Sequence, residues 1–285
     1  MKKLLTLLIG VFLISTVFAQ EEKKDTSYWT NGGMFSVNFN QISFVNWAAG
    51  GLNSVSGVAK AQYSANYKKN TVSWDNNFDF GYGLSKVTGY DLQKNEDIMY
   101  FQSKLGIKAV NKWFYSGLFN FKSQFAPGYS DKENLNRISD FFSPAFMFLS
   151  FGMDYKPNDK FSLMISPLTG KVTIVTDELL RANYGVDADK NMRPEFGAYL
   201  KSALNAEIMK NVGLITELGL FTNYLKNPEK VDVDWKIGIN MKVNKYISAQ
   251  LSTQMLYDFD TKDPVDNKAK VQFKELFGVG FSFKF

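Results

Sequence analysis

No histidine occurs anywhere in the 285 residues. That removes the Ser-His nucleophile pairing, the histidine-bearing zinc motifs and the commonest general base. Cysteine is absent as well, so no disulfide can brace the fold. No glycine-rich phosphate cradle stands between a strand and a helix. Beyond residue 19 there is no uninterrupted apolar run of the roughly 18 residues that a membrane-spanning helix needs. No cofactor is expected, and the chain is expected not to be an enzyme. The 33 basic and 28 acidic residues give a formal net charge of +5, with the lysines scattered singly. Such scatter forms no basic patch, so nucleic acid is not an expected partner.

The first residues do carry a signal. Met1-Lys2-Lys3 precedes the apolar run Leu4 to Ile14, then Ser15-Thr16-Val17-Phe18-Ala19 before Gln20, the order of a secretory signal peptide over residues 1–19. A transmembrane anchor is the competing reading, but the run is short for one and polar residues follow at once. A short periplasmic segment is expected over 20–32 and a barrel over 33–285.

Aromatic residues are abundant, with 26 phenylalanines, 14 tyrosines and 5 tryptophans. They fall on alternate positions. Val72, Trp74, Phe78, Phe80, Tyr82 and Leu84 share one face, and Ser73, Asp75, Asn77, Asp79, Gly81 and Gly83 the other, with Asn76 the one misfit. Between Phe196 and Ile208 apolar and polar positions separate again, Glu195, Lys201, Asn205 and Glu207 lying on the polar side. From Val231 to Val243 the alternation is unbroken, with Asp232, Asp234, Lys236, Asn240 and Lys242 on the polar face. Twelve such segments are expected, near 33–45, 55–68, 71–84, 97–109, 113–126, 143–156, 160–174, 194–209, 212–225, 231–243, 246–259 and 270–285. They match or exceed the nine to eleven residues that cross a bilayer obliquely. The expected fold class is therefore all-β, an antiparallel transmembrane β-barrel with lipid outside and water within. A large periplasmic β-sandwich or soluble barrel, its apolar faces turned inward, is the rival fold.

Connections alternate too. Short links at Lys68-Lys69-Asn70, Val110-Asn111-Lys112, Pro157-Asn158-Asp159, Lys210-Asn211 and Asn244-Lys245 separate longer ones, the asymmetry of periplasmic turns and extracellular loops in a Gram-negative outer membrane. Trp113, Phe161 and Tyr246 follow such turns, where a periplasmic aromatic girdle belongs. The last strand alternates through Phe281 and Phe283 to Phe285, which resembles the C-terminal signal read by the barrel-assembly machinery. That machinery and outer-membrane lipid are the expected partners, with no partner protein identified.

Trp29-Thr30-Asn31-Gly32-Gly33 and the run from Asn40 to Ser54 resemble the uncharacterised outer-membrane barrels grouped as domain of unknown function 3078, over nearly all of the mature chain. The resemblance implies location and fold and transfers no catalytic or binding residue. Within that run Asn46, Trp47, Gly50 and Gly51 form a candidate loop motif. It presents Trp47 to a ligand, or Trp47 sits in the upper aromatic girdle while the glycines make the turn.

Charged positions on polar faces give the candidate lumen lining: Asp75, Asp79, Asp154, Glu207, Glu217, Asp232, Asp234 and Asp258, against Lys60, Lys104, Lys108, Lys122, Lys201, Lys236, Lys242 and Lys274. Asp232 and Asp234 form a selectivity site, or pair with lysines across neighbouring strands. Two long loops are expected to be helical. Ser130-Asp131-Lys132-Glu133 has capping-box spacing ahead of Leu135, Ile138 and Phe142, and a second helix starts at Thr176 and stops at Gly185. Twelve strands fall between a side-chain-filled eight and an open sixteen. The expected function is a narrow passive channel for small polar solutes. The alternative is a closed structural or interaction barrel serving a partner in surface assembly or secretion.

Overall fold

The computed structural model describes residues 28–44, 52–263 and 266–285. Both the signal peptide over 1–19 and the loop motif of Asn46, Trp47, Gly50 and Gly51 lie outside the described residues. Alternating apolar and polar positions produce β1 (Trp29–Ile42), β2 (Ser54–Lys69), β3 (Val72–Val87), β4 (Gln93–Lys108) and β5 (Trp113–Ser123). A small hairpin follows, β6 (Gly128–Tyr129) and β7 (Arg137–Ser139). Then come β8 (Ala145–Asn158), β9 (Phe161–Ile174), β10 (Met192–Met209), β11 (Val212–Asn223), β12 (Asp232–Lys242), β13 (Ile247–Tyr257) and β14 (Gln272–Lys284).

Except for β6 and β7, each strand pairs antiparallel with its neighbour in sequence, and β1 closes onto β14, giving a closed barrel of twelve strands. All twelve expected segments are present. The first strand starts at Trp29, inside the segment expected to precede the barrel. Closure is completed at the C-terminus. Gly33 N donates to Phe285 O at 2.9 Å and Phe285 N donates to Gly33 O at 3.1 Å. A Cβ on Gly33 would lie 2.3 Å from the Phe285 ring, so the absence of a side chain there makes room for the terminal aromatic.

Asparagine builds the turns at this end. Asn70, Asn111 and Asn211 take φ of 52°, 51° and 66°, the left-handed region that asparagine tolerates better than most side chains. Asn158 and Asn244 instead accept backbone N–H groups from Phe161 and Tyr246 at 3.1 and 2.8 Å. Rings gather around these turns, with Trp29 5.3 Å from Tyr67 and 5.7 Å from Trp74, and Trp113 5.0 Å from Tyr155.

Asn76, the misfit of β3, is satisfied on the outer face. Its amide donates to Ala65 O at 3.1 Å and its oxygen accepts from Ser103 at 2.8 Å, while Trp74 Nε1 donates to that serine at 2.8 Å. Three polar groups thus neutralise one another at a lipid-facing position.

Two bulges shift the alternation. In β9 the inward positions run Ser162, Met164, Ser166 and then Thr169, Lys171, Thr173, with an extra residue at Pro167 and Leu168. Ser166 Oγ donates to Phe151 O at 2.8 Å and so satisfies a carbonyl that the bulge leaves open. In β4, Asn95 is the extra residue, since Gly83 pairs with Glu96 and Leu84 with Lys94.

The segment from Ser130 is not a helix; the expectation is corrected. Asp131 accepts backbone N–H groups from Glu133 at 3.1 Å, Leu135 at 2.8 Å and Asn136, folding the chain around its own carboxylate. Leu135 is 83% exposed, so the first residue of the apolar spacing that suggested a helix has nothing to pack against. The second segment does coil, as a 3₁₀ helix Glu178–Tyr184 capped by Asp177 and stopped at Gly185 with φ 65°.

Removing residues Phe281 to Phe285 should abolish assembly, because it takes four of the six β1–β14 residue pairs and the Gly33–Phe285 hydrogen bonds. Loss of the heat-modifiable gel band would show it; a truncated chain that still migrates as a folded barrel would refute the closing role. Hydrogen bonds from the loop backbone hold the Asp131 carboxyl below its usual value. Its folded-state pKa being the lower one, its support for the loop is present above the ordinary carboxylate pKa and is lost as pH falls through the lowered value. Corrected hydrogen-exchange protection at Leu135 and Asn136 should therefore collapse only at acidic pH. In Asp131→Ala it should already be missing at neutral pH.

Candidate functional site in the barrel lumen

Most inward charges are paired, and the pairs cross the lumen in three layers. Nearest the short turns, Lys104 of β4 meets the wholly buried Asp154 of β8 at 2.7 Å, and Lys156 of β8 meets Asp75 of β3 at 2.6 Å. Lys156 also lies 3.7 Å from Asp154, which links the two pairs. Leu118 and Met164 are inward and almost fully buried, so this part of the interior is packed.

Above it, Lys201 of β10 donates to the Tyr100 hydroxyl at 2.8 Å and pairs with Glu217 of β11 at 3.2 Å. Tyr100 in turn donates to Gln102 at 2.9 Å. The Lys236 ammonium of β12 stands 4.6 Å from the Tyr100 ring centroid. Asp79 is also inward and accepts from Gln62 at 3.0 Å.

The third layer is nearest the long loops. Lys122 of β5 bonds Asp234 of β12 at 3.0 Å, and Gln254 donates to the same carboxylate at 2.7 Å. Lys171 gathers Asp232 at 2.6 Å, Asp258 at 3.0 Å and Glu195 at 3.5 Å. Arg193 bridges Glu195 at 3.1 Å and Asp260. Glu96 is held between Lys60, at 3.2 Å, and Lys274. Asp232 and Asp234 therefore pair across the interior, with partners on β9 and β5, and not with lysines on the adjacent strands.

Between the second layer and the loops lies a cavity of about 430 Å³, bordered by Tyr100, Lys122, Phe148, Tyr199, Lys201, Phe221 and Lys236. Ile138, Ser139 and Tyr184 border it from the loop side. The two long loops lock together there. Arg137 pairs with Asp177 at 2.6 Å, the Tyr184 hydroxyl donates to Ile138 O at 3.0 Å, and the Ser143 and Thr176 hydroxyls meet at 2.9 Å. Burial pushes the Tyr184 hydroxyl up to about 12. Val175, Leu180 and Val186 form a small apolar core beside it.

Thirteen of the sixteen expected lumen positions fall in these three layers. Lys108, Glu207 and Lys242 are instead exposed at the turn end of β4, β10 and β12. Glu207 accepts the Asn211 N–H at 3.1 Å and so caps a turn. Glu96, Lys156, Lys171, Arg193 and Tyr100 belong to the network and were not singled out by residue pattern. Lys171 was hidden by the β9 bulge, which puts it on the opposite parity from Ser162. Glu195 was legible on a polar face, but nothing local marked it. No group of acids, histidines or cysteines able to hold a metal occurs among the described residues.

Outside, the wall is apolar: Phe35, Phe39, Leu105, Tyr115, Leu149, Phe151, Ile165, Phe277 and Phe281 are all more than 45% exposed. A closed ladder, an apolar outer face, a charged interior and turns ringed by aromatics meet the demands of a bilayer. The chain is an outer-membrane β-barrel. The family model "Protein of unknown function (DUF3078)" matches residues 39–129, from within β1 through β5 to β6. That span holds the Asn46 to Gly51 motif and is shorter than the near-complete resemblance expected. Among curated proteins none matches the sequence. Solved structures of similar outline include the COG4313 outer membrane channel of Pseudomonas putida F1, at 11% identity and TM-score 0.41, covering 93% of this chain and 100% of that one. The translocator domain of autotransporter NalP from Neisseria meningitidis matches at 7% identity and TM-score 0.40, covering 98% and 95%. An active-site mutant of outer membrane phospholipase A from Escherichia coli matches at 11% identity and TM-score 0.39, covering 95% and 96%.

The Lys104–Asp154 pair yields a test of the packed layer. Lys104→Met removes the nearer of the two ammonium groups on the buried Asp154, leaving Lys156 at 3.7 Å, and should cost about 3 kcal/mol, read as a drop in the temperature at which the folded gel band disappears. Lys104→Met combined with Asp154→Leu should recover most of the loss. Equal losses in the single and double variants would mean that the pair does not act as a pair.

Proposed function

We propose that the barrel is a narrow passive channel for small polar solutes. The observation that supports this reading is the uneven filling of the lumen. Inward side chains of β4, β5, β8 and β9 are mostly buried, among them Lys104, Asn120, Ser150, Asp154 and Thr169. Those of β2, β12 and β13, Val58 and Ser248 apart, retain partial exposure along the wall, from Asn66, Asn240 and Gln250 near the turns to Lys60, Asp234 and Gln254 toward the loops. A polar strip of that kind offers water a path beside the packed half. Because nearly every charge on it has a partner of opposite sign, selectivity is weak. The reading is non-catalytic, in keeping with a sequence without histidine. Lipid and the assembly machinery, which would read the strand ending in Phe285, are the partners it requires.

The closed interaction barrel remains the second reading, favoured specifically by the Lys104–Asp154–Lys156–Asp75 lattice across the turn-side layer. Planar-bilayer recording separates the two. The channel should conduct, and changing Asp232→Asn together with Asp234→Asn should shift the reversal potential toward anions, since Lys171 and Lys122 lose a countercharge each. If the protein forms no pore, and deleting the loop from Ser130 to Asp140 opens none, the closed barrel is the correct reading.

A further inference from the structure

One of the five lysines that border the cavity has no carboxylate in contact with it among the described residues. Of the lysines that border it, Lys122 is taken by Asp234, Lys171 by Asp232 and Asp258, Lys201 by Glu217 and Lys274 by Glu96. Lys236 has no carboxylate oxygen within 4.0 Å among the described residues, and its ammonium faces the Tyr100 ring. The two acids best placed to reach it are engaged elsewhere. Glu217 stands directly across from Lys236 in the β11–β12 register, yet its carboxylate goes to Lys201 at 3.2 Å. Asp234, two residues away on the same face, is held by Lys122 and Gln254. Asp79 accepts from Gln62 and does not border the cavity. The acids that do border it are all paired.

Beside this ammonium the wall is aromatic. Phe148 lies 5.2 Å from Tyr199 and 5.8 Å from Phe221, ring to ring, and all three border the cavity. Rings on an inward face are unusual where the rest of that face is polar, and they put no demand on a passing ion. They suit a ligand with a flat apolar body. An unpaired ammonium beside such a wall suits the same ligand if it carries one negative charge.

We propose that the cavity is a binding site for a small aromatic monocarboxylate, its carboxylate on Lys236 and its ring against Phe148, Tyr199 and Phe221. The proposal deepens the channel reading and rests on it for the entry of solute from outside. It predicts a preference that a weakly selective pore of paired charges would not have, for anion over cation and for ring over no ring. A phenyl ring with a carboxyl group also fits a space of about 430 Å³.

Three probes of matched size or charge decide it: benzoate, benzylammonium and acetate, titrated calorimetrically into the purified full-length protein in detergent, with empty micelles as the blank. Benzoate should bind saturably at one site in the millimolar range or tighter. Benzylammonium should not saturate, and acetate should bind at least about tenfold more weakly, the scale of one lost apolar or charge-assisted contact. Lys236→Met should weaken benzoate about tenfold or more, while Lys236→Arg keeps it. Should benzylammonium bind as well as benzoate, or benzoate fail to saturate, the proposal is overturned whatever the variants do. An unchanged affinity in a folded Lys236→Met barrel overturns the role of that lysine. Conductance without benzoate binding would defeat this proposal alone; benzoate binding without conductance would defeat the channel alone.

Discussion

A backbone N–H or C=O left unpaired in hydrocarbon costs several kcal/mol, so a sheet can enter lipid only if it has no edge. The ladder between β1 and β14 meets that requirement, and the rest of the molecule follows from it. Once the sheet closes, one face of every strand belongs to lipid and the other to the interior, which fixes the two-residue period. Apolar side chains then go outward, the reverse of a soluble domain, and the interior receives the charges. The same demand explains the contact between Gly33 and Phe285. Phe285 exchanges both backbone hydrogen bonds with Gly33, so the final amino acid is part of the seam.

Filling a twelve-stranded interior with charges raises a second problem, because each ion taken from bulk water must be compensated nearby. The lumen answers with chords across its width. Lys122 and Asp234 stand on β5 and β12, five places apart around the barrel, and Lys156 and Asp75 on β8 and β3, three places apart. Pairs of this reach are possible only where lysine's long stem extends inward, and they divide the interior. Near the turns they meet apolar packing at Leu118 and Met164; near the loops they leave the cavity open beneath the Arg137–Asp177 lock. One lysine, Lys236, is left over from this pairing.

Most of the architecture was legible in the sequence because the period is two and the strands are long. Val231 to Val243 alternates without error, and its inward set, Asp232, Asp234 and Lys236, is the set that the lumen uses. What was not legible has physical causes. Pro167 and Asn95 each insert a residue, and beyond an insertion the parity of a strand reverses, which hid Lys171. Partners across the lumen share no local spacing: Lys122 and Asp234 are 112 residues apart in the chain. The loop from Ser130 misled because Asp131 caps its own turn as readily as it would cap a helix, and the spacing of Leu135 and Ile138 does not reveal which.

On the channel reading, the chords also tie conduction to stability. In a soluble protein, loosening a surface ion pair costs little, since water takes over both charges. Here Asp154 is fully buried and Lys104 nearly so, and widening the turn-side layer by removing either one takes the closest countercharge from the other in a space already packed. Near the turns, the side of the lumen lined by β2, β12 and β13 carries fewer such obligations, since Asn66, Asn240 and Gln250 there are part-exposed and neutral. At that level width can be gained on that side without stranding a charge. On the channel reading, a path for solutes along it, with the braced wall opposite, is the arrangement in which the barrel would keep both its seam and an opening.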